Sequence, residues 1–364
     1  MDNTNSIQFT LFEAIYSTPD MVKVGILADK YNFDCVMMGD HALDFTGLVK
    51  ADPWGVLSNI GAKTSNIKMG TDVTCLYRYH PSKIAHIVAT LDELTRGRII
   101  LGLGAGEAMN VEPFGIKFEK PIQRIKRLKE GIEVIRALWN SNENNKVDYD
   151  GEFYKMNKAW LQQEPYKNIP PIYIGSLGGE KMLNLIGEIG DGWQSACNSI
   201  EMFRNRVEII KESAIRNKRD YNKIDKCATI VGVMTEDKEI QKQAIEGYKH
   251  VILILNNIKS LIKLGLELEN PDNIDLSYQT ILAKQDAVEE SAKIAQQIPN
   301  EFAEQFMVLG TPEEFIEKID QYKKAGATNI FLWDWVAEGL NRSPKMAEEN
   351  LRIFNNKVMK YFKE

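Results

Sequence analysis

The sequence predicts an α/β fold in which eight parallel strands close into a (β/α)8 barrel. Short apolar runs alternate with longer amphipathic segments along most of the chain, which is typical of a parallel sheet covered by helices. Eight such units are present, and this number favours a closed barrel. The 364 residues contain no internal repeat or linker-like tract, so we expect a single domain spanning residues 1–364.

Each barrel unit pairs an apolar run with a following amphipathic helix. The predicted strands are 7–11, 35–38, 68–75, 98–103, 171–175, 192–196, 228–233 and 329–333. The predicted helices are 19–30, 54–63, 81–94, 122–139, 181–187, 200–217, 312–324 and 344–362. Residues 146–154 have hairpin character around Asp150-Gly151, a tight-turn dipeptide. Residues from about 238 to 306 predict a mostly helical insertion after strand seven.

The composition excludes several classes of protein. The net charge of −6 comes from interspersed acids and bases, without the basic stripe that a nucleic acid requires. No run approaches the roughly 20 apolar residues of a membrane span, and no secretory signal is recognisable. The four cysteines and four histidines lack metal-ligand spacings, so we expect reduced thiols, no metal site and a cytoplasmic location.

The candidate site residues follow predicted strands, because active sites of such barrels lie at the carboxyl ends of the strands. These positions are Asp40-His41, 72–75, 102–110 and 175–179. A histidine there can exchange protons near neutral pH, although a lone histidine is more often structural. The glycines around Glu107 allow either close approach to a ligand or a tight turn. Gly178-Gly179 precedes a helix, where free N–H groups bind phosphate or merely close a turn.

Residues 91–106, LDELTRGRIILGLGAG, resemble the signature of the luciferase-like superfamily. The runs GTPEEF at 310–315 and GDGW at 190–193 also match it. Within that superfamily, GAGEAMN at 104–110 together with Asp40-His41 is similar to the branch that uses coenzyme F420, a deazaflavin. That branch includes secondary-alcohol and glucose-6-phosphate dehydrogenases and, more distantly, methylenetetrahydromethanopterin reductases.

The resemblance implies roles for individual residues. His41 would take a substrate hydroxyl proton during hydride transfer, and Glu107 would protonate or hydrogen-bond the deazaflavin ring. A non-prolyl cis peptide is implied between Asp72 and Val73. The implied cofactor contacts are Asp40, Asp72, Val73, Thr74, Gly104, Ala105, Gly106, Asn110, Gly175, Ser176, Gly178 and Gly179. Glu13 and Phe45 are the substrate contacts that the resemblance implies, and Trp335, which closes the eighth predicted strand, is a further candidate because an aromatic side chain there can pack in the core or line a pocket.

We therefore expect a coenzyme F420-dependent oxidoreductase acting on a small organic substrate, such as an alcohol or hydroxy compound. Glucose 6-phosphate is disfavoured, because Gln305 stands where the sugar-phosphate enzymes have an arginine. The alternatives are a methylenetetrahydromethanopterin reductase-like enzyme, an FMN-dependent monooxygenase and, in another class, a non-catalytic flavin-binding protein. The resemblance also implies a homodimer.

Overall fold

Alternating strands and helices make up the computed structural model, which describes residues 7–12, 17–44, 51–271, 274, 285–334 and 344–364. The strands are β1 Gln8–Phe12, β2 Cys35–Met38, β3 Lys68–Thr71, β4 Thr74–Cys75, β5 Ile99–Gly104, β6 Val147–Asp150, β7 Lys155–Ala159, β8 Ile172–Ser176, β9 Gly192–Ser195, β10 Asp225–Val233, β11 Met307–Leu309 and β12 Asn329–Asp334. The α-helices are α1 Thr18–Lys30, α2 Pro53–Lys63, α3 Pro81–Thr95, α4 Pro121–Trp139, α5 Glu180–Ile189, α6 Ile200–Arg216, α7 Lys238–Leu255, α8 Ile258–Lys263, α9 Gln285–Ala295, α10 Asn300–Ala303, α11 Pro312–Lys324, α12 Pro344–Ile353 and α13 Lys360–Lys363, and a π-helical segment, Phe354–Met359, joins the last two.

Parallel pairing closes the main sheet into a barrel. The strand order is β10, β12, β1, β2, β3, β5, β8 and β9, and β9 pairs back with β10. Every residue of β2 and β5 is buried, as expected for parallel strands covered on both faces. The predicted (β/α)8 barrel is therefore confirmed.

The third predicted strand, 68–75, was wrong as one continuous element. A cis peptide bond between Asp72 and Val73 divides it into β3 and β4. The first part pairs with β2 and β5, whereas β4 pairs with β5 alone among the described strands. The position of the non-prolyl cis bond, which the resemblance implied, is confirmed.

The segment 238–306 is helical in its described part, as predicted, and it is followed by a strand that the sequence did not reveal. Three residues of β11 pair with Val231–Val233 at the end of β10. The pairing of β9 with β10 has already ended at Cys227, so β11 lies where β9 has run out. Apolar residues of α7 and α10 form a second core against this end of β10. That the segment is an insertion remains a prediction.

Smaller features agree with the sequence patterns. β6 and β7 form the predicted antiparallel hairpin. The side chain of Thr311 caps α11, and Glu314 completes a capping box. All four cysteines are buried free thiols. Burial raises the pKa of Cys35 and Cys227, that of Cys75 to about 11 and that of Cys197 to about 12.

Candidate active site at the barrel mouth

His41 and Glu107 meet at the carboxyl ends of β2 and β5. Oε1 of Glu107 lies 3.4 Å from Nδ1 of His41, and the two side chains are 11% and 12% exposed. Both follow barrel strands directly, and the strand register brings them together although β3 lies between their strands. A carboxylate beside a nearly buried imidazole is an arrangement that can hold and exchange a proton.

Asn110 fixes the loop that carries His41. Its Oδ1 accepts hydrogen bonds from the backbone N–H groups of Ala42 at 2.7 Å and Leu43 at 2.9 Å. Its Nδ2 donates to the carbonyl oxygen of Leu43 at 2.8 Å and lies 3.0 Å from Nδ1 of His41. Because the backbone contacts fix which end of the amide faces His41, the neutral tautomer with its hydrogen at Nε2 accepts this hydrogen bond at Nδ1, whereas the tautomer with its hydrogen at Nδ1 donates to Glu107.

The pKa of His41 is raised above the ordinary histidine value. Burial alone lowers this pKa, because it disfavours the charged ring. The hydrogen bond and the charge of Glu107 act in the opposite direction and prevail, with further help from Asp44 and Asp40. The site therefore favours the imidazolium form of His41.

Asp40 lies beside His41 in sequence, but its carboxylate contacts other protein groups. Oδ2 accepts a hydrogen bond from Oγ1 of Thr74 at 2.7 Å, and Oδ1 accepts one from Nη2 of Arg78 at 2.5 Å. The same Nη2 also donates to the carbonyl oxygen of Asp40 at 2.7 Å. Burial raises the pKa of Asp40, and Arg78 opposes this effect. Asp40 thus connects the loop after β2 to the loop after β4.

The side chain of Val73 is the reason why two positions at the site must be glycine. A Cβ atom added at Gly104 would lie 2.5 Å from Cγ2 of Val73, and one added at Gly175 would lie 2.9 Å from Cγ1. The isopropyl group therefore packs between β5 and β8 on surfaces that must lack side chains. Gly106 has a different requirement, a φ of +82° that other residues rarely adopt.

Asp72 brings a second titratable carboxyl group to the barrel mouth. It is partly buried, and in the part of the chain that the structure describes its carboxyl group has no hydrogen-bond partner. Burial raises the pKa of Asp72 to about 7, although the charge of His41 lowers it. This carboxyl group therefore changes its charge near neutral pH.

The turn before α5 has the form of an anion site. Gly178 has a φ of +96°, and its N–H donates to Oγ of Ser176 at 3.1 Å. Gly179 begins the helix without a side-chain cap. The N–H groups of Gly179, Glu180 and Lys181 have no acceptor among the described residues. Open N–H groups at the start of a helix attract anions.

Three predicted substrate contacts, Glu13, Phe45 and Trp335, lie outside the described residues. Ala105 is partly exposed beside Gly104 and Gly106. No cluster of three or more metal-ligating His, Cys, Asp or Glu side chains occurs in the described ranges. None of the described helices combines the length and the apolar character needed to cross a membrane.

Comparison with known proteins identifies the family of this chain. Residues 9–329 match the model of the luciferase-like monooxygenases. The chain belongs to this family. A luciferase-like relative from Archaeoglobus fulgidus, 5,10-methylenetetrahydromethanopterin reductase, is 30% identical over 304 residues, which are 84% of this chain and 86% of the relative. The F420-dependent glucose-6-phosphate dehydrogenase of Mycolicibacterium smegmatis is 30% identical over 325 residues, 86% of this chain and 88% of that protein.

Two solved structures share the fold. An F420-dependent secondary alcohol dehydrogenase in complex with an F420–acetone adduct superposes with a TM-score of 0.80 at 22% identity, covering 97% of this chain and 98% of that one. The coenzyme F420-dependent tetrahydromethanopterin reductase of Methanopyrus kandleri gives a TM-score of 0.78 at 20% identity, covering 98% and 99%. At these identities the structural likeness establishes the barrel and leaves the reaction to the site residues.

Proposed function

We propose that this luciferase-like protein is a coenzyme F420-dependent oxidoreductase that transfers a hydride between the deazaflavin and a small organic substrate, an alcohol or hydroxy compound. The observation that carries the proposal is the His41–Glu107 pair at the barrel mouth. The proposal is supported by relatives about 30% identical over most of the chain whose names include F420 dependence.

The residues at the mouth fit such a cofactor in two respects. Val73, packed on Gly104 and Gly175, offers an apolar surface suited to a flat ring system. The open N–H groups at the start of α5 suit the negative charge of a phosphodiester. When bound, the deazaflavin supplies a ring carbon that accepts or donates a hydride, while the protein supplies position and charge.

His41 exchanges the accompanying proton with the substrate oxygen. Its Nδ1 faces Asn110 and Glu107, so we assign this exchange to Nε2. The neutral ring that takes the proton at Nε2 carries its hydrogen at Nδ1 and donates it to Glu107. Glu107 stabilises the imidazolium that forms when His41 takes a hydroxyl proton. Asn110 holds the backbone of Ala42 and Leu43, which keeps the ring of His41 in place.

Cofactor titration tests the proposal directly. The protein is titrated with coenzyme F420 and, separately, with FMN, and binding is followed by the change in fluorescence of each cofactor. We expect coenzyme F420 to bind and to be reduced in the presence of a member of a panel of alcohols, sugars and pterins. Tight binding of FMN without binding of coenzyme F420 would reject the proposal in favour of a monooxygenase, and absence of turnover on the whole panel would favour a non-catalytic role.

A second candidate is reduction of a methylene-pterin, favoured by the 30% identity to the Archaeoglobus reductase. That reaction removes no hydroxyl proton, so His41 would contribute little to its rate. Activity with a pterin substrate that survives substitution of His41 would therefore support this candidate over an alcohol dehydrogenase.

A further inference from the structure

Arg206 on α6 is a buried cation without a counter-charge. The residue is 8% exposed, and Nη1 donates a hydrogen bond to Oδ1 of Asn198. Within the described residues Nε and Nη2 have no acceptor, and no carboxylate forms an ion pair with the guanidinium. Burial accordingly lowers the pKa of Arg206 to about 10. An unpaired charge is costly to bury, which calls for a reason at this position.

The guanidinium lies against the turn that precedes α5. A Cβ atom added at Gly178 would overlap Cζ, Nε and Nη2 of Arg206, so the glycine makes room for this contact. The Cβ position is as near to Cζ as to Nε, so it lies over the flat face of the guanidinium, and Gly178 does not block the edge that holds Nε and Nη2, the two nitrogens without acceptors among the described residues. The open N–H groups of α5 begin with the next residue, Gly179.

Asn198 orients the arginine. Its Nδ2 donates to the carbonyl oxygen of Ala196, so its Oδ1 faces Arg206. Its own carbonyl oxygen accepts a hydrogen bond from the hydroxyl of Tyr322 at 2.5 Å. Asn198 is 1% exposed. This support fixes the guanidinium with its face against Gly178 and leaves Nε and Nη2 as two parallel donors without acceptors among the described residues.

We infer that Arg206 and the first turn of α5 form one anion site, and that Arg206 supplies the cation that holds the phosphate group of the cofactor. The inference rests on the proposed function for the identity of the phosphate carrier. Two parallel N–H donors of a guanidinium match two oxygens of a phosphate, and the helix N–H groups can take a third. Lys181, the cation nearest in sequence, is exposed, so its charge is screened by solvent.

The inference predicts how replacement of Arg206 affects the stability of the protein without ligand. Because Arg206 is buried and unpaired, its replacement by an apolar side chain of similar length removes a cost of folding when no anion is bound. The variant R206M also leaves the buried Oδ1 of Asn198 without its donor, and this cost offsets the gain. R206M should therefore unfold at a temperature close to that of the wild type in a buffer without phosphate. A large loss of stability on replacement would instead indicate a purely structural role.

Thermal unfolding with and without inorganic phosphate tests the site in the whole protein. We expect phosphate to raise the unfolding temperature of the wild type and of the control K181M, and to leave that of R206M unchanged. R206K, which keeps the charge but loses the paired donors, should show a reduced rise. The inference fails if R206M retains the full phosphate response.

Binding of coenzyme F420 separates this inference from the proposed function. We expect R206M to bind the cofactor about 10- to 100-fold more weakly than the wild type, the range for loss of a charged hydrogen bond. Equal binding by the wild type and R206M would overturn the site and leave the proposed function standing. A phosphate response that depends on Arg206, in a wild type that does not bind coenzyme F420, would support the anion site and overturn the proposed function.

Discussion

Glu107 and Asn110 contact the same nitrogen of His41 and favour different protonation states. The carboxylate of Glu107 favours the imidazolium, whereas the amide of Asn110 donates toward Nδ1 and favours the neutral ring. Since the pKa of His41 is raised overall, Glu107 has the larger influence.

The variant E107Q should therefore lower the pKa of His41. A histidine whose pKa is raised by folding contributes stability below its unfolded pKa of about 6.5, and this contribution is lost as the pH rises through the folded pKa. E107Q should accordingly cost more stability at pH 5.5 than at pH 8.5. Histidine NMR titration and denaturant unfolding at both pH values measure these effects. His80, an exposed cap of α3, serves as the reference resonance, and an unchanged pKa of His41 would contradict the assignment.

Replacement of His41 by alanine should reduce turnover far more than cofactor affinity. Proton exchange by a positioned side chain contributes about 10²- to 10⁴-fold to rate. The comparison uses kcat with the substrate found in the panel and the dissociation constant of coenzyme F420. The variant H86A, at an exposed position of α3, is the control and should behave as the wild type. Normal turnover by H41A would reassign His41 to packing.

Asp72 should make the protein less stable as the pH rises. Its pKa of about 7 lies above the ordinary carboxyl value of 3.8, so the folded state holds a proton that the unfolded state has lost. The stability it contributes is present at low pH and disappears as the pH rises from about 4 through 7. D72N should therefore gain roughly 1–3 kcal/mol relative to the wild type at pH 8 and little at pH 4.5. Urea unfolding at both pH values checks this; an equal difference at both would exclude a titrating Asp72.

The rule that barrel sites follow strand ends predicted His41, Glu107 and the turn at Gly178 as candidates from the sequence, and the structure brings the first two together. The rule did not indicate the contacts of Arg78 with Asp40 or of Arg206 with Gly178. Both arginines thus contact residues that are distant in sequence. The pattern of a single segment does not indicate which distant residue its side chains will contact.

At the level of elements, the boundary between β3 and β4 depends on contacts from two other strands. Val73 occupies the space left by Gly104 on β5 and Gly175 on β8. The apolar run with β character over 68–75 did not indicate the break, although the resemblance implied the cis peptide at Asp72-Val73. The strand β11 was missed for a related reason: three residues are too few to show a period, and β10 supplies their pairing.

The variant G104A should destabilise the protein by roughly 1–3 kcal/mol, because its methyl group overlaps Cγ2 of Val73. The double variant V73A/G104A should recover part of this loss, since it removes the overlapping methyl groups. Denaturant unfolding of the wild type, both single variants and the double variant gives the coupling. G55A in α2 is the matched control: its new methyl group meets no atom within 4 Å, so it should be neutral or slightly stabilising. Additive losses would show that the two residues do not compete for space.

On the scale of the whole molecule, the fold class was the most predictable feature. Eight units of a strand and a helix, and buried parallel strands, follow from the apolar pattern, which extends over most of the chain. The arrangement at the mouth was less predictable, since α7, α10 and β11 build a second core there against one end of β10. That arrangement follows from tertiary packing between segments that the sequence pattern alone does not order.

The four buried thiols provide a way to measure the rate at which the barrel opens. Cys35 lies on β2, Cys75 on β4 and Cys227 on β10, while Cys197 follows β9. Cys35 and Cys227 share one apolar cluster, so together they report on access to that cluster. Thiolates react and thiols do not, and burial keeps all four protonated at neutral pH. Labelling by a maleimide should therefore wait for the wall to open, and mass spectrometry of the labelled peptides should show four equal rates if the barrel opens as one unit. A faster rate at Cys197 alone would show that the barrel opens locally between β9 and β10.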